Sequence, residues 1–478
     1  MFSKKLILVA LGKEPADLAI INGNLVNVVT KEIYEGGVAV ANGKIAAIGD
    51  VKYTIGSRTK VIDAKGAYIT PGLIDGHIHV ETSLMTYSRF AEAVLPHGTT
   101  AVMCDFHEVG VVAGIEGIKA MVEEARKTPL KLYLTVPVRI PFHPGLETVG
   151  GEIGPREVEE LLKLPEAVGL SEIVAMNVLL GDPNYLKALE LGKAFKVTLE
   201  GHAPALKDQM LSAYAALGIR SDHESFTTEE ALQRIRNGMR LMMREGSVAK
   251  NLHETVKVIV EKKVDPRYAI MITDDVDAHD ILRDGHLDHL IRRAVEEGVD
   301  PITALQMVTI NTAENYRVDH EVGVLAPGRY ADILLVDDLA KFNVKIVIAN
   351  GEIIARNGKI IRKIAPIIVL GVNLKDMAYA VNRIVELQGG QVVVENGEVI
   401  TELPLPIAGL MSDEPPSSIA EKVEKLKKAA QKLGSTIYHP FMFLVFITLA
   451  AIPQYAITDK GLVDVMKQKL ISPIIEYI

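Results

Sequence analysis

His77 and His79 stand one residue apart in the stretch PGLIDGHIHVET, residues 71–82, at the end of an apolar run. In an extended strand, residues i and i+2 project to the same face, so the two imidazoles form a chelating pair while Ile78 and Val80 point the other way. Other strand-like segments end in similar chemistry: His202 in EGHAP, His223 in SDHES, and Asp274 with Asp275 in MITDD. Each signal alone is weak, since a single histidine after a strand is ordinarily a hydrogen-bonded residue and an Asp pair before a helix ordinarily an N-cap. Together, four histidines and a carboxylate at one place suit two adjacent divalent ions, because imidazole is a common ligand for zinc, iron and manganese. Two ions call for a bridging anion, and Glu172 in GLSEIVAMN is the candidate. A carboxylated lysine is the other option, but Lys196 begins its strand rather than ending it.

The elements that must carry these residues are legible from periodicity. Between about Ile69 and Tyr316, eight strand candidates occur: YITPGLIDGHIH, TTAVMCDFHE, KLYLTVPVRI, AVGLSEIVAMN, KVTLEGHAP, GIRSDHE, MRLMMREGS and YAIMITDD. Stretches such as GIKAMVEEARK, YLKALELGKAF and LDHLIRRAVEEG, with apolar residues at three- and four-residue spacing, read as helices between them. Eight strands alternating with helices predict a parallel (β/α)8 TIM-like barrel, in which functional side chains gather at the C-terminal ends of the strands. On either side of it lie short alternating segments punctuated by Asn22-Gly23, Asn42-Gly43, Asn350-Gly351 and Asn357-Gly358, which read as hairpin turns. The two flanks predict one small β-sandwich domain with the barrel inserted in it. The expected bounds are 1–68 and 317–364 for the β domain, 69–316 for the barrel and 365–478 for a C-terminal α+β region.

Composition excludes several other functions. The 478 residues are 48% hydrophobic and 24% charged, with a net charge of -9, which describes a globular chain with a large core and disfavours a nucleic-acid or anionic-membrane surface. A small molecule is the expected partner. Cys104 is the single cysteine, so neither an intramolecular disulfide nor a thiolate-rich zinc site can form, and a cytoplasmic location is expected. The same count excludes the zinc nucleobase deaminases with a PCxxC signature. The N-terminal stretch lacks the pattern of a signal peptide and reads as part of the fold. The apolar run FMFLVFITLAAI at 441–452 is too short to cross a bilayer and reads as a buried helix. Burial within the chain or in a homodimer would satisfy it. The glycines of VGGEIG are a weak phosphate-cradle signal, because no strand ending in GxGxxG precedes them.

The segments PGLIDGHIHVETS, GHAP, IRSDHE, MREGS and ITDD, with VGVLAPGRYADILLVDD after the barrel, resemble the metal-dependent amidohydrolase superfamily. SDHE after GHAP, and the tail ending in AGLMSDEP, resemble more specifically its bacterial and archaeal adenine deaminases. The resemblance implies His77, His79, Glu172, His202, His223 and Asp274 as metal ligands, with Glu172 bridging. It further implies two divalent ions per subunit, manganese or iron, with zinc a third option. The implied reaction is hydrolysis of adenine to hypoxanthine and ammonia, in purine salvage, by attack of a metal-bound hydroxide at C6. Asp274 is then expected to take the remaining proton and deliver it to the departing amine. Glu224 is the candidate proton donor to N1, its other reading being a carboxylate at the start of the helix after it.

Asp105 and His107, on one face of DFHEV, together with Glu108 and Asp275, are expected to orient ligands or touch substrate. His279, His286 and His289 read as solvated or packing residues. The chain departs from the resemblance at about 363–375, where a stretch on the scale of a small domain, about 100 residues, is missing. A cyclic amidase or deacylase on the same binuclear centre, or a catalytically silent binding relative, are the alternatives to be separated from the deaminase.

Overall fold

The computed structural model describes residues 4–360 and, beyond them, 383–384, 386–387, 389–395, 398–407, 409–446, 455–458 and 461–471. All eight expected barrel strands form: β1 Leu73–Ile78, β2 Thr99–Cys104, β3 Lys131–Pro137, β4 Ala167–Val174, β5 Thr198–His202, β6 Ser221–Asp222, β7 Arg240–Arg244 and β8 Ala269–Ile272. Each pairs in parallel with the next in sequence. At the C-terminal end the barrel is closed by backbone bonds in both directions, His79 N–H to Asp274 C=O and Asp274 N–H to His77 C=O, both 3.0 Å. Two candidate ligand positions are thus clasped to a third by the closure itself.

The flanking strands form one continuous nine-stranded mixed sheet. It joins Leu18–Asn27, Glu32–Ala41 and Lys44–Gly49 to Ile333–Val336, Val344–Ala349 and Glu352–Arg356 through the linking strand Tyr68–Pro71. The sheet encloses a core that includes Ile20, Val38, Ile45, Ile69, Ile333 and Ile348. The stretch expected as a single strand, YITPGLIDGHIH, is therefore two strands in two sheets. Gly72 is the break: a Cβ there would fall 2.2 Å from Thr100 Oγ1, so only glycine lets the chain pass from one sheet to the other.

Asn42-Gly43, Asn350-Gly351 and Asn357-Gly358 make the expected two-residue turns, with positive φ at both positions of each. Asn22-Gly23 does not. Asn22 has φ of 56°, yet the strand runs through it to Asn27 with a register shift between Ile20 and Gly23. This bulge separates the half of the strand that pairs with Lys60–Asp63 from the half that pairs with Tyr68 and Ile69. Pairing on both sides overrides the local turn signal. At VGGEIG the glycines also have a packing role: a Cβ on Gly150 would lie 2.2 Å from the Val112 carbonyl oxygen, and one on Gly151 2.2 Å from the Gly114 nitrogen.

In the N-terminal helix, Lys4–Ala10, Val9 is buried against the small sheet. Past the small sheet come a hairpin, Gly390–Glu395 with Glu398–Pro404, a long helix, Pro416–Lys432, a short one, Pro440–Phe446, and a three-stranded sheet within 455–471. The apolar run at 441–452 begins in the short helix, where Phe441 is buried in the main core; residues 447–452 lie outside the described residues. Among the described residues no helix is long and apolar enough to cross a membrane.

A buried arginine braces the barrel mouth. Arg234, fully buried, donates from Nε to Asp222 Oδ2 at 2.9 Å, from Nη1 to the Leu206 carbonyl at 2.7 Å and from Nη2 to the Ala203 carbonyl at 2.6 Å. It ties the loop after His202 to the residue before His223. Arg234→Met would leave the buried Asp222 carboxylate without its cation, with only the Ala203 N–H on its other oxygen, and would take a donor from both carbonyls. The expected loss is about 3–5 kcal/mol of unfolding free energy, read from denaturant titration of the metal-free chain.

Candidate active site

The strand ends converge as the alternation of side chains requires. His77 and His202 lie within β1 and β5, His79 and His223 directly follow β1 and β6, and Asp274 lies just beyond β8. Glu172 reaches the same space through a bulge: Leu170 pairs with Leu199 and Ile173 with Gly201, leaving two residues of β4 opposite one of β5. Glu172 and Asp274 adopt left-handed backbone, with φ of 55° and 61°, a conformation that costs L-residues roughly 1–2 kcal/mol. Strain at both carboxylates marks positions whose side-chain direction matters more than their stability.

The six side chains are all buried. His77 Nε2 is 3.6 Å from Glu172 Oε1 and 3.3 Å from Asp274 Oδ1; His79 Nε2 is 3.7 Å from each of these oxygens. On the other side His202 Nδ1 is 2.9 Å from Glu172 Oε2 and 3.3 Å from His223 Nε2, which is itself 3.7 Å from Glu172 Oε1. Glu172 therefore stands in the middle of the donors, with Oε1 facing His77, His79 and His223 and Oε2 facing His202. The buried Nε2 atoms of His77 and His202 have no hydrogen-bond partner.

The field in the pocket favours positive charge. Burial alone would push the His77 and His79 imidazoles down, but Glu200 beside the first and Asp105 and Glu108 beside the second raise both well above the ordinary histidine range. Burial would likewise raise Glu172, yet His202 and its neighbours hold it well below the usual carboxylate range. Sets of three donors, among them His77, His79 and Asp274, or Glu172, His202 and His223, bring their ligand atoms within 4.8 Å of one another. Nitrogen and carboxylate donors at this spacing fit divalent cations.

A second layer fixes the rings. Asp105 Oδ1 sits 2.9 Å from His79 Nδ1 and accepts the His107 backbone N–H at 3.1 Å, while Glu108 Oε2 is 3.5 Å from the same His79 nitrogen. His107 stacks on Phe142 with ring centroids 4.3 Å apart, and His107, Glu108 and Asp275 border the cavity above the donor set. His286 is an internal residue 2.8 Å from Thr99 Oγ1, and His279 pairs with Asp280 and Glu424, so both serve packing.

Two neighbours have no counterpart among the expected residues. Glu200, fully buried, is 2.5 Å from His77 Nδ1 and accepts from Tyr316 OH at 2.6 Å. It lies two residues before His202 on β5 and so shares its inward face, a signal the sequence did carry. Glu200→Gln would remove the charge that orients His77 and strengthens its basicity. A fall of about 10- to 100-fold in metal affinity is expected, read by competition with a chelator.

Arg244, at the end of β7, is the other. It contacts both oxygens of Glu224, Nη2 to Oε2 at 3.2 Å and Nη1 to Oε1, and donates from Nη1 to Asp274 Oδ2 at 3.0 Å. The helix after Glu224 is capped by Thr227 and Glu230, so Glu224 is not its start. Burial would raise Glu224, but Arg244, His202 and His223 hold it below its ordinary value; at rest it is a carboxylate.

These residues open on a cavity of about 210 Å³. The barrel supplies Leu84, Phe142, Glu224 and Arg244 among others, and the C-terminal region supplies Gln391, Leu405, Leu410, Lys427, His439 and Phe441. The largely apolar space, with polar groups at its edges, suits a small planar molecule.

The description Amidohydrolase family matches residues 68–354, and Adenine deaminase C-terminal domain matches 363–469. A protein of Clostridium botulinum (strain 657 / Type Ba4) named adenine deaminase is 37% identical, with 99% of this chain and 98% of that protein covered. One of Moorella thermoacetica with the same name is 36% identical, with 98% of each covered. The first alignment spans 586 positions against a chain of 478 residues, so at least 108 positions have no residue here. That matches the size of the expected missing stretch; residues 363–375 lie outside the described residues. Among solved structures, an adenosine deaminase from Xanthomonas campestris with bound zinc superposes with TM-score 0.53 at 14% identity, covering 78% of this chain and 98% of that one. A β-aspartyl dipeptidase from Fervidobacterium islandicum AW-1 gives 0.56 at 17%, covering 72% and 98%. Both show likeness of fold.

Proposed function

The chain belongs to the amidohydrolase family and, within it, to the adenine deaminases, and from that premise we propose that its barrel mouth hydrolyses adenine to hypoxanthine and ammonia. One observation carries the reading: similarity to proteins of that name, at 36–37% identity, runs along nearly the whole chain and spans both the donor cluster and the C-terminal region that roofs it. In this reading residues 69–316 form the catalytic unit, 1–68 and 317–364 the β domain beside it, and 365–478 the cover. A cytoplasmic location, a homodimer and a place in purine salvage complete the proposal.

His77, His79 and Asp274 would hold one divalent ion, His202 and His223 the other, and Glu172 both. Manganese or iron(II) suits this thiolate-free set, with zinc also compatible. Such ions lower the pKa of a water toward neutrality and so provide the nucleophile. The remaining steps belong to the side chains. Glu224, a carboxylate at rest, takes the first proton of the attacking water and passes it to N1 as electron density builds there. Asp274 takes the second proton and delivers it to the exocyclic nitrogen, which leaves as ammonia while C6 becomes the carbonyl carbon of hypoxanthine. Arg244 touches both carboxylates and keeps them ionised between turnovers.

Ammonia release from adenine by protein loaded with manganese or iron(II) tests the reading. Hypoxanthine formation that disappears with His77→Ala is the expected result. Two bound ions without turnover of adenine, but with turnover of a cyclic amide, would replace it with the cyclic amidase.

A further inference from the structure

Lys427 lies in the middle of a chain segment that the chemistry above leaves unused. It sits near the end of helix Pro416–Lys432, is 3% exposed, and borders the catalytic cavity from the wall that contains none of the six ligand candidates. Its ammonium has three protons to donate. Among the described residues, the one acceptor that takes a hydrogen bond from it is Asp277 Oδ2, at a long 3.4 Å, and the ammonium also lies over the face of Tyr438, 4.7 Å from the ring centroid.

Asp277 is largely committed elsewhere. Its Oδ2 is 2.9 Å from His439 Nδ1, and its Oδ1 accepts the Asp280 backbone N–H at 2.8 Å. Asp280 Oδ2 is 3.0 Å from His439 Nε2 and accepts from Ser247 Oγ at 2.7 Å. His439 is thereby held between two carboxylates, and Lys427 stands against the cavity with donors to spare among the described residues. A buried ammonium in that position is costly unless something accepts from it. The apolar surroundings Leu405, Leu410 and Phe441 give no acceptor of their own through their side chains.

We propose that Lys427 is a specificity residue that donates a hydrogen bond to a purine ring nitrogen other than N1, reading the base from the side of the C-terminal cover. The inference rests on the deaminase reading and adds to it the role of the C-terminal cover: the barrel carries the reaction, and the cover recognises the base. Free adenine offers N3 and N7 as acceptors, and a hydrogen bond to a charged donor enforces their presence more strongly than shape alone.

The test uses the metal-loaded full chain, with adenine as substrate and 3-deazaadenine and 7-deazaadenine, each lacking one acceptor, as competitive inhibitors. In the wild type, one of the two is expected to bind at least about tenfold more weakly than adenine. Lys427→Met should raise KM for adenine about 10- to 100-fold while kcat falls less, and should close the gap between adenine and that analogue. Lys427→Arg, which keeps a donor, should restore part of the discrimination. A gap of the same size in wild type and Lys427→Met, with both proteins equally stable to heat, would overturn the assignment. Wild-type protein that does not deaminate adenine at all would instead overturn the deaminase reading, so the two failures are distinct.

Discussion

Glu172→Gln will leave the barrel folded, bind fewer than two divalent ions per subunit and turn over adenine at least about a thousandfold more slowly, a rise of about 4 kcal/mol in the barrier. Glu172 lies among all four histidines, with Oε1 facing His77, His79 and His223 and Oε2 facing His202. Glutamine has nearly the same shape and meets the left-handed backbone at this position no worse than glutamate. The variant therefore removes charge and bridging capacity without a new backbone demand. Metal content by elemental analysis, measured beside kcat and the circular dichroism spectrum, separates loss of ions from loss of fold. Two ions and unaltered turnover in Glu172→Gln would take the bridging role away from this residue.

The second large effect is expected without loss of metal. Glu224→Gln should keep two ions and a KM within a few-fold of wild type, while kcat drops by about 10²–10⁴, the range for removal of a positioned proton-transfer group. The reason is chemical: an amide can neither take a proton from water nor give one to N1. Arg244, losing one of its two carboxylate partners, would still be held by Asp274. A kcat within tenfold of wild type would place the N1 donor on another side chain.

Most of the barrel and its donor set is legible in the sequence, because both rest on short-range rules. Strand and helix periods place eight strand segments alternating with helices, and the two-residue alternation turns His77 and His79 to the same side. The same alternation also points Glu200 inward with His202, yet a buried glutamate in mid-strand gives no other local sign of its pairing with His77. Arg244 and Lys427 were less accessible still. Their roles depend on contacts across the fold, Arg244 with carboxylates 20 and 30 residues away and Lys427 with Asp277 150 residues away, and no period encodes a contact of that separation. Asn22-Gly23 shows the converse. Its local turn signal is genuine, and the positive φ is present, but pairing with neighbours on both edges keeps the strand going.

The division of the cavity between barrel and C-terminal region also bears on how the protein is made. All six ligand candidates lie between residues 77 and 274, whereas the roof draws on residues 390–442. On a ribosome, where the N-terminal part of a chain emerges and folds first, the strands that carry the ligand candidates are complete more than a hundred residues before the roof begins at residue 390. Ions can reach a mouth that the C-terminal region has not yet come to cover. Metal loading that precedes the roof would let hydrated cations meet their ligands before Leu405, Leu410 and Phe441 line the way with apolar surface.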